Sequence, residues 1–182
     1  MKIVKTTDEL LALRGKDGVI RIEDDLRIEC VVPWEVGKEI AGIYVTGNLY
    51  CGGNLDCRGN LYCRGNLDCG GEYFIVMGDL FWPQAHKPKL PEHTYIKRIL
   101  PPAHQREHWQ ERLGMDISAG CYEDLCGKVL KQIINLLRDE KWTSTERWML
   151  ETLRDSEKPA PEWVEKYREE RERARDLVRD AR

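Results

Sequence analysis

Residues 47 to 69 spell GNLYC, GNLDC, GNLYC and GNLDC at a strict six-residue period. A short fixed period of this kind marks a repeat architecture and constrains the fold before any other property. Leu49, Leu55, Leu61 and Leu67 are each followed two residues later by Cys51, Cys57, Cys63 and Cys69. A spacing of two puts both side chains on one face of a strand, so Leu and Cys point inward together. Tyr50, Asp56, Tyr62 and Asp68 stand between them on the opposite face. The Gly–Asn pair that opens each copy brings the residues that best tolerate φ > 0 at a tight corner. Each hexad therefore reads as a short strand and a bend.

Such units cannot bury their inward side chains alone. Stacked into a three-sided solenoid they can, with about 18 residues per coil and coils about 4.8 Å apart. In that geometry Cys51 lies above Cys69, Leu49 above Leu67 and Asn48 above Asn66, in ladders of like residues, and Tyr50 sits over Asp68 outside. The i, i+2 pairs Ile20/Ile22, Leu26/Ile28, Ile43/Val45 and Tyr73/Ile75 extend the pattern over residues 19 to 82, enough for about three coils. Two interruptions, Val32 to Glu39 and the step at Met77, predict an excursion and a β-bulge.

The GNLYC and GNLDC units resemble the G-[ND]-L-x-V repeats of bactofilin or polymer-forming β-helices, with Cys in place of Val. That resemblance covers the repeat segment, about a third of the chain, and implies a β-helix and end-to-end polymerisation. Two other repeat families fit less well. Hexapeptide acyltransferases place a small residue two before the aliphatic one, where this chain has a full-sized Leu, and pentapeptide repeats have the wrong period. An acyltransferase would also need a catalytic His. The repeats hold none, which leaves His86 or His93.

The flanks divide the remaining chain. Residues 1 to 18 hold a short Thr-capped helix over 7 to 13, stopped by Gly15 and Gly18 and placed to cap one end. Five of eight prolines fall between Pro83 and Pro102, so 83 to 103 reads as a connector with at most a short strand from Thr94 to Leu100. Residues 104 to 182 read as a helical C-terminal region. Its first helix carries Leu125, Val129, Leu130, Ile133, Ile134 and Leu137 at helical spacing. A second follows the capping box Thr143–Glu146, with Trp148, Met149, Leu150 and Leu153 as its apolar side. A third begins at Pro161 with a stripe of Trp163, Tyr167, Ala174, Val178 and Ala181. Seven acidic and seven basic residues cancel within 162 to 182, which predicts a solvated helix with local ion pairs. The expected fold is thus mainly β plus α, a short three-sided β-helix followed by helices.

Lys and Arg number 29 against 32 Asp and Glu, for a net charge of −3, so no basic excess favours nucleic acid or an anionic membrane. No apolar run reaches bilayer length and no signal-peptide pattern opens the chain, which predicts a cytoplasmic protein. With seven cysteines, an odd number, four of them in the repeat, reduced thiols are expected. The repeat cysteines converge on the axis from three sides, but a neutral Cys is a small hydrophobe close to Val in shape, and packing is their expected role.

Two zinc readings use the C-terminal region. His104, Glu107 and His108 match H-x-x-E-H, the motif of the inverzincin hydrolases, a family that also needs a third ligand, a Glu far downstream on another helix, inside a much larger two-part fold. His104, His108, Cys121 and Cys126 have the composition of a closed structural site. A spacing of five would turn the two cysteines about 140° apart on a helix, which makes joint ligation awkward. No phosphate-binding loop, nucleophile elbow or H-E-x-x-H motif occurs. The chain is expected to lack enzymatic activity and to need no cofactor. It is expected to bind another protein, or itself as a dimer, as a scaffold or accessory module of bacterial or phage type. The predicted contact face comprises Tyr50, Asp56, Tyr62, Asp68 and Phe74.

Overall fold

A computed structural model describes residues 1–82, 87–100, 142–155 and 159–180. The chain winds into a β-solenoid of about four turns, followed by helices. Face A stacks β1 (Lys2–Val4), β3 (Leu26–Ile28), β5 (Leu49–Cys51) and β8 (Leu67–Cys69) as parallel strands. Face B stacks β2 (Val19–Ile22), β4 (Gly42–Val45) and β7 (Asn60–Cys63), then the second halves of β9 (Tyr73–Phe81) and β10 (His93–Leu100). Face C holds Val32, β6 (Leu55–Cys57) and the first halves of β9 and β10.

The ladders follow the 18-residue coil. Leu49 pairs with Leu67, Tyr50 with Asp68 and Cys51 with Cys69, while Ile43 pairs with Leu61 and Val45 with Cys63. Every Leu and Cys of the four hexads is at most 5% exposed, and each buried Leu contributes roughly 1.5–3 kcal/mol. Corner asparagines tie successive coils together. The Asn66 amide donates to Asn48 Oδ1 at 2.7 Å, and the Asn48 amide donates to Asp25 Oδ1 at 2.8 Å. Such bonds satisfy backbone donors that the bend removes from the ladder.

The corners are not built as their sequence suggests. Among the described residues only Gly18 has a positive φ, 76°. Glycine is required elsewhere because stacked corners touch: a Cβ on Gly59 would lie 1.9 Å from the Ala41 carbonyl oxygen, and one on Gly71 2.5 Å from the Gly53 backbone.

The solenoid exceeds residues 19 to 82 at both ends. At the start, β1 pairs with β3 in register, and α1 (Thr7–Leu11), capped by the Thr6 side chain, buries Leu10 beside it. At the far end, residues expected to form a connector make another rung. Asp68 bridges Lys89, and β10 pairs along the length of β9. Pro88 and Pro91 are compatible with this because they sit outside β10, where no ladder donor is lost. The excursion at Val32 to Glu39 is α2 (Trp34–Gly37), packed on β6 so closely that a Cβ on Gly37 would meet the Asp56 carbonyl oxygen at 1.8 Å. The bulge is present too: Val76 to Asp79 spans one residue more than Ile96 to Arg98 opposite.

Beyond β10, the capping box forms at α3 (Ser144–Asp155). The Glu146 amide donates to Thr143 Oγ1 at 3.2 Å and the Thr143 amide to Glu146 Oε2 at 2.8 Å. Met149 and Leu150 of this helix, and Trp142 just before it, join the solenoid core. A further helix, α4 (Glu162–Asp180), lies on face C. Its buried side is Val164, Tyr167 and Arg168, whereas Ala174 of the expected stripe is exposed. The apolar helix read at Leu125 to Leu137 lies outside the described residues.

Candidate interaction surfaces

The five residues expected on one contact face are distributed over three faces and the core. Tyr50 and Asp68 share face A, and Tyr62 lies on face B. Asp56 is on face C and fully buried, and Phe74 is also fully buried. Phe74 lies inside because it pairs with Leu55, an inward residue, which leaves Ile75 opposite Asp56 on the outer side. The corner after Cys69 absorbs one extra residue: Asn54 Oδ1 accepts from both the Glu72 and Tyr73 amides, at 2.7 and 3.2 Å. The strand therefore resumes one residue later than the six-residue phase, and its inward and outward sets exchange.

Face C is occupied by α4. Ile75, Val164 and Tyr167 form a small second core, with Tyr73, Tyr95 and Trp163 packed around it. Tyr73 stacks on Tyr167 with ring centroids 4.5 Å apart, and His93 meets the Trp163 ring edge-on at 5.4 Å. Beside this cluster lies a buried set of charges. Arg168 Nε stands 3.7 Å from Asp56 Oδ2, within ion-pair range but beyond hydrogen-bond length, and neither Asp56 oxygen has a hydrogen-bond partner among the described residues. The Arg58 and Arg168 guanidinium groups lie over the Trp34 ring, 3.4 and 4.1 Å from its centroid. Burial pushes the Asp56 carboxyl up to about 6. The Arg168 and Arg58 charges oppose that shift and Glu35 adds to it. Sequence reasoning missed this set: Arg168 reads as one of fourteen balanced charges on a solvated helix.

Face B presents aromatics outward. Tyr44, Tyr62 and Phe81 are register partners in successive strands, all partly exposed, and the two tyrosine rings stack at 6.0 Å. A bidentate pair flanks them, Arg98 Nε and Nη2 donating to the two Asp79 oxygens at 2.6 and 3.0 Å. Tyr44 and Phe81 add to Tyr62 as candidate contact residues. The coil length is the signal that finds Tyr44, which precedes Tyr62 by 18 residues, whereas Phe81 follows Tyr62 by 19.

A cleft of about 370 Å³ between β10 and the helices is lined by Tyr95, Trp148, Thr152 and Asp155 among others. Thr152 donates to the Trp148 carbonyl at 2.8 Å, and Asp155 Oδ1 accepts from Arg154 Nε at the same distance. His93, one histidine left open to an acyltransferase, packs against Tyr73 at a tilt and against Trp163 edge-on. His86, His104, Glu107, His108, Cys121 and Cys126 lie outside the described residues.

Inside the solenoid, burial pushes the Cys57 thiol up to about 12 and the Cys63 thiol to about 11, and the hydrogen bond with Cys69 followed by burial raises Cys51 as well. These are neutral thiols acting as core atoms. No group of three or more His, Cys, Asp or Glu among the described residues is arranged to hold a metal ion. No described helix is long and apolar enough to cross a membrane. No protein-family model, curated protein or solved structure matches this chain.

Proposed function

We propose that the chain is a non-catalytic interaction module, a rigid β-solenoid that presents face B to another protein. The observation that carries this reading is the outward column of Tyr44, Tyr62 and Phe81, three partly exposed aromatics held in register on a parallel sheet. Aromatic side chains on a rigid support give large contact area at low entropic cost, and they dominate the energetics of protein interfaces. A partner with an apolar patch is the chemistry such a column suits. The pairing of an Asp with an Arg at its edge supplies the polar rim of a protein contact.

A solenoid also suits a polymer-forming role of the bactofilin kind. Trp142, Met149 and Leu150 packing into the core beyond β10 supports a discrete particle instead, because end-to-end stacking needs an accessible final coil. The test is a photo-crosslinking amino acid at Tyr62, with a second at exposed Lys16 as control. A discrete adduct from Tyr62 that disappears on Tyr44→Arg supports the reading. Adducts of equal yield from Lys16, or none from Tyr62, overturn it.

A further inference from the structure

Face A carries a single outward residue per rung: Ile3, Arg27, Tyr50, Asp68 and Lys89, stacked as register partners. The column is open. Ile3 is 42% exposed, and the side chains of Arg27, Asp68 and Lys89 are 53%, 42% and 84% exposed. Their ion pairs within the chain are long, Arg27 Nε to Glu29 Oε1 at 3.7 Å and Lys89 Nζ to Asp68 Oδ2 at 3.9 Å. Exposed pairs of that kind contribute about 0–1 kcal/mol, so they do not prevent either residue from taking another partner.

The order of charges is self-complementary. A two-fold axis lying along the strand direction and passing through Tyr50 would turn a second copy to face the first with its coil axis reversed. Tyr50 then meets Tyr50 of the second copy. Arg27, one rung above, meets Asp68, one rung below, and the same contact forms again by symmetry. At the ends, the exposed Ile3 meets the aliphatic stem of Lys89, whose ammonium remains in water. At the flanking corners, a Cβ built on Gly52 or Gly70 would meet nothing closer than 3.6 and 3.8 Å.

From this complementarity we propose that face A is a self-docking surface, on which two copies of the chain pair antiparallel through Tyr50 with reciprocal Arg27–Asp68 contacts. The surface is small. Five rungs of three-residue strands measure roughly 24 Å by 10 Å, against about 800 Å² per partner in a standard stable interface. The dimer is accordingly weak, and it forms at concentrations between about 10 μM and 1 mM. It uses a different face from the aromatic column, so either proposal can fail without the other.

Sedimentation equilibrium across that concentration range tests the pairing, with the thermal midpoint of each variant confirming that it folds. Arg27→Asp brings two carboxylates together at both contacts and Asp68→Arg brings two guanidinium groups together at both, so each variant alone should dimerise at least about tenfold more weakly. An equimolar mixture of the two variants pairs opposite charges at both contacts, as does the double variant with itself, and both should regain the original dimer. A chain that stays monomeric to about 1 mM overturns the proposal. So does a dimer indifferent to the reversals, or one that mixing fails to restore.

Discussion

The Asp56 carboxyl makes folding stability depend on pH in a direction opposite to that of most carboxylates. Burial lifts it from 3.8 to about 6, so the folded chain binds its proton more tightly than the unfolded chain does. The stabilisation linked to that proton is complete below 3.8 and is lost as pH rises through about 6. About two pKa units at 1.36 kcal/mol each make the total about 3 kcal/mol. The groups facing Asp56 are Arg168 from α4, which also pairs with the exposed Glu165, Arg58 just after β6, and Glu35 from α2. Asp56→Asn keeps the shape and removes the titration. Urea unfolding followed by tryptophan fluorescence, run on both proteins from about pH 3.5 to about pH 7.5, isolates the site. Other titrating groups are common to both chains and cancel in the difference. This includes Asp17, which its hydrogen bond from Arg21 holds at about 2. The stability of Asp56→Asn relative to the original chain should rise by about 3 kcal/mol across this range, most of it between about pH 4 and pH 6. A difference that stays flat would refute the reasoning, since it would mean that the carboxyl ionises freely and that α4 does not seal it from water.

Other perturbations probe the same structure. Arg168→Met leaves the buried Asp56 carboxylate without its partner and should weaken α4 docking by about 3–5 kcal/mol near neutral pH. Hydrogen exchange should then show faster exchange on α4 with β5 to β8 unchanged, and equal protection on α4 would contradict it. Gly59→Ala forces a methyl into the Ala41 carbonyl and should cost about 3 kcal/mol or more, whereas Gly52→Ala, whose methyl would make only ordinary contact at 3.6 Å, should change the stability measured by urea unfolding by under about 1 kcal/mol. Cys57→Val should cost less than about 1.5 kcal/mol, and native Cys57 should resist alkylation at about pH 8, because the reactive species is a thiolate this site disfavours. Native mass spectrometry after zinc supplementation should give a metal-free chain. One zinc per chain would instead bring forward His104, His108, Cys121 and Cys126.

The inward and outward sides of the four hexads follow from their letters, because Leu and Cys two apart must share a strand face and nothing else in the hexad can fill a core. The stacking of Leu49 on Leu67 follows from the coil length. Phe74 does not follow, because it depends on how many residues a corner holds. The bond from the Tyr73 amide to Asn54, 19 residues earlier, sets that number. The short strand expected from Thr94 to Leu100 is β10, but its place as a further rung could not be read from a segment dense in proline: what permits it is the position of Pro88 and Pro91 outside the strand, not their number. The contact face fails for a more general reason. A six-residue period says which side chains point out, but the face each one occupies is set by its place in an 18-residue coil. Tyr50, Asp56 and Tyr62 therefore look in three directions. Asp56 and Asp68 show what this means for chemistry. Both are the fourth letter of GNLDC, yet one is sealed beneath α4 with its carboxyl at about 6 and the other stands 42% exposed. Both sites read GNLDC, so the difference between a proton-linked clamp and a surface contact comes from burial beneath α4, the helix far downstream that carries Arg168. Only the closed fold brings that residue to one aspartate and not the other.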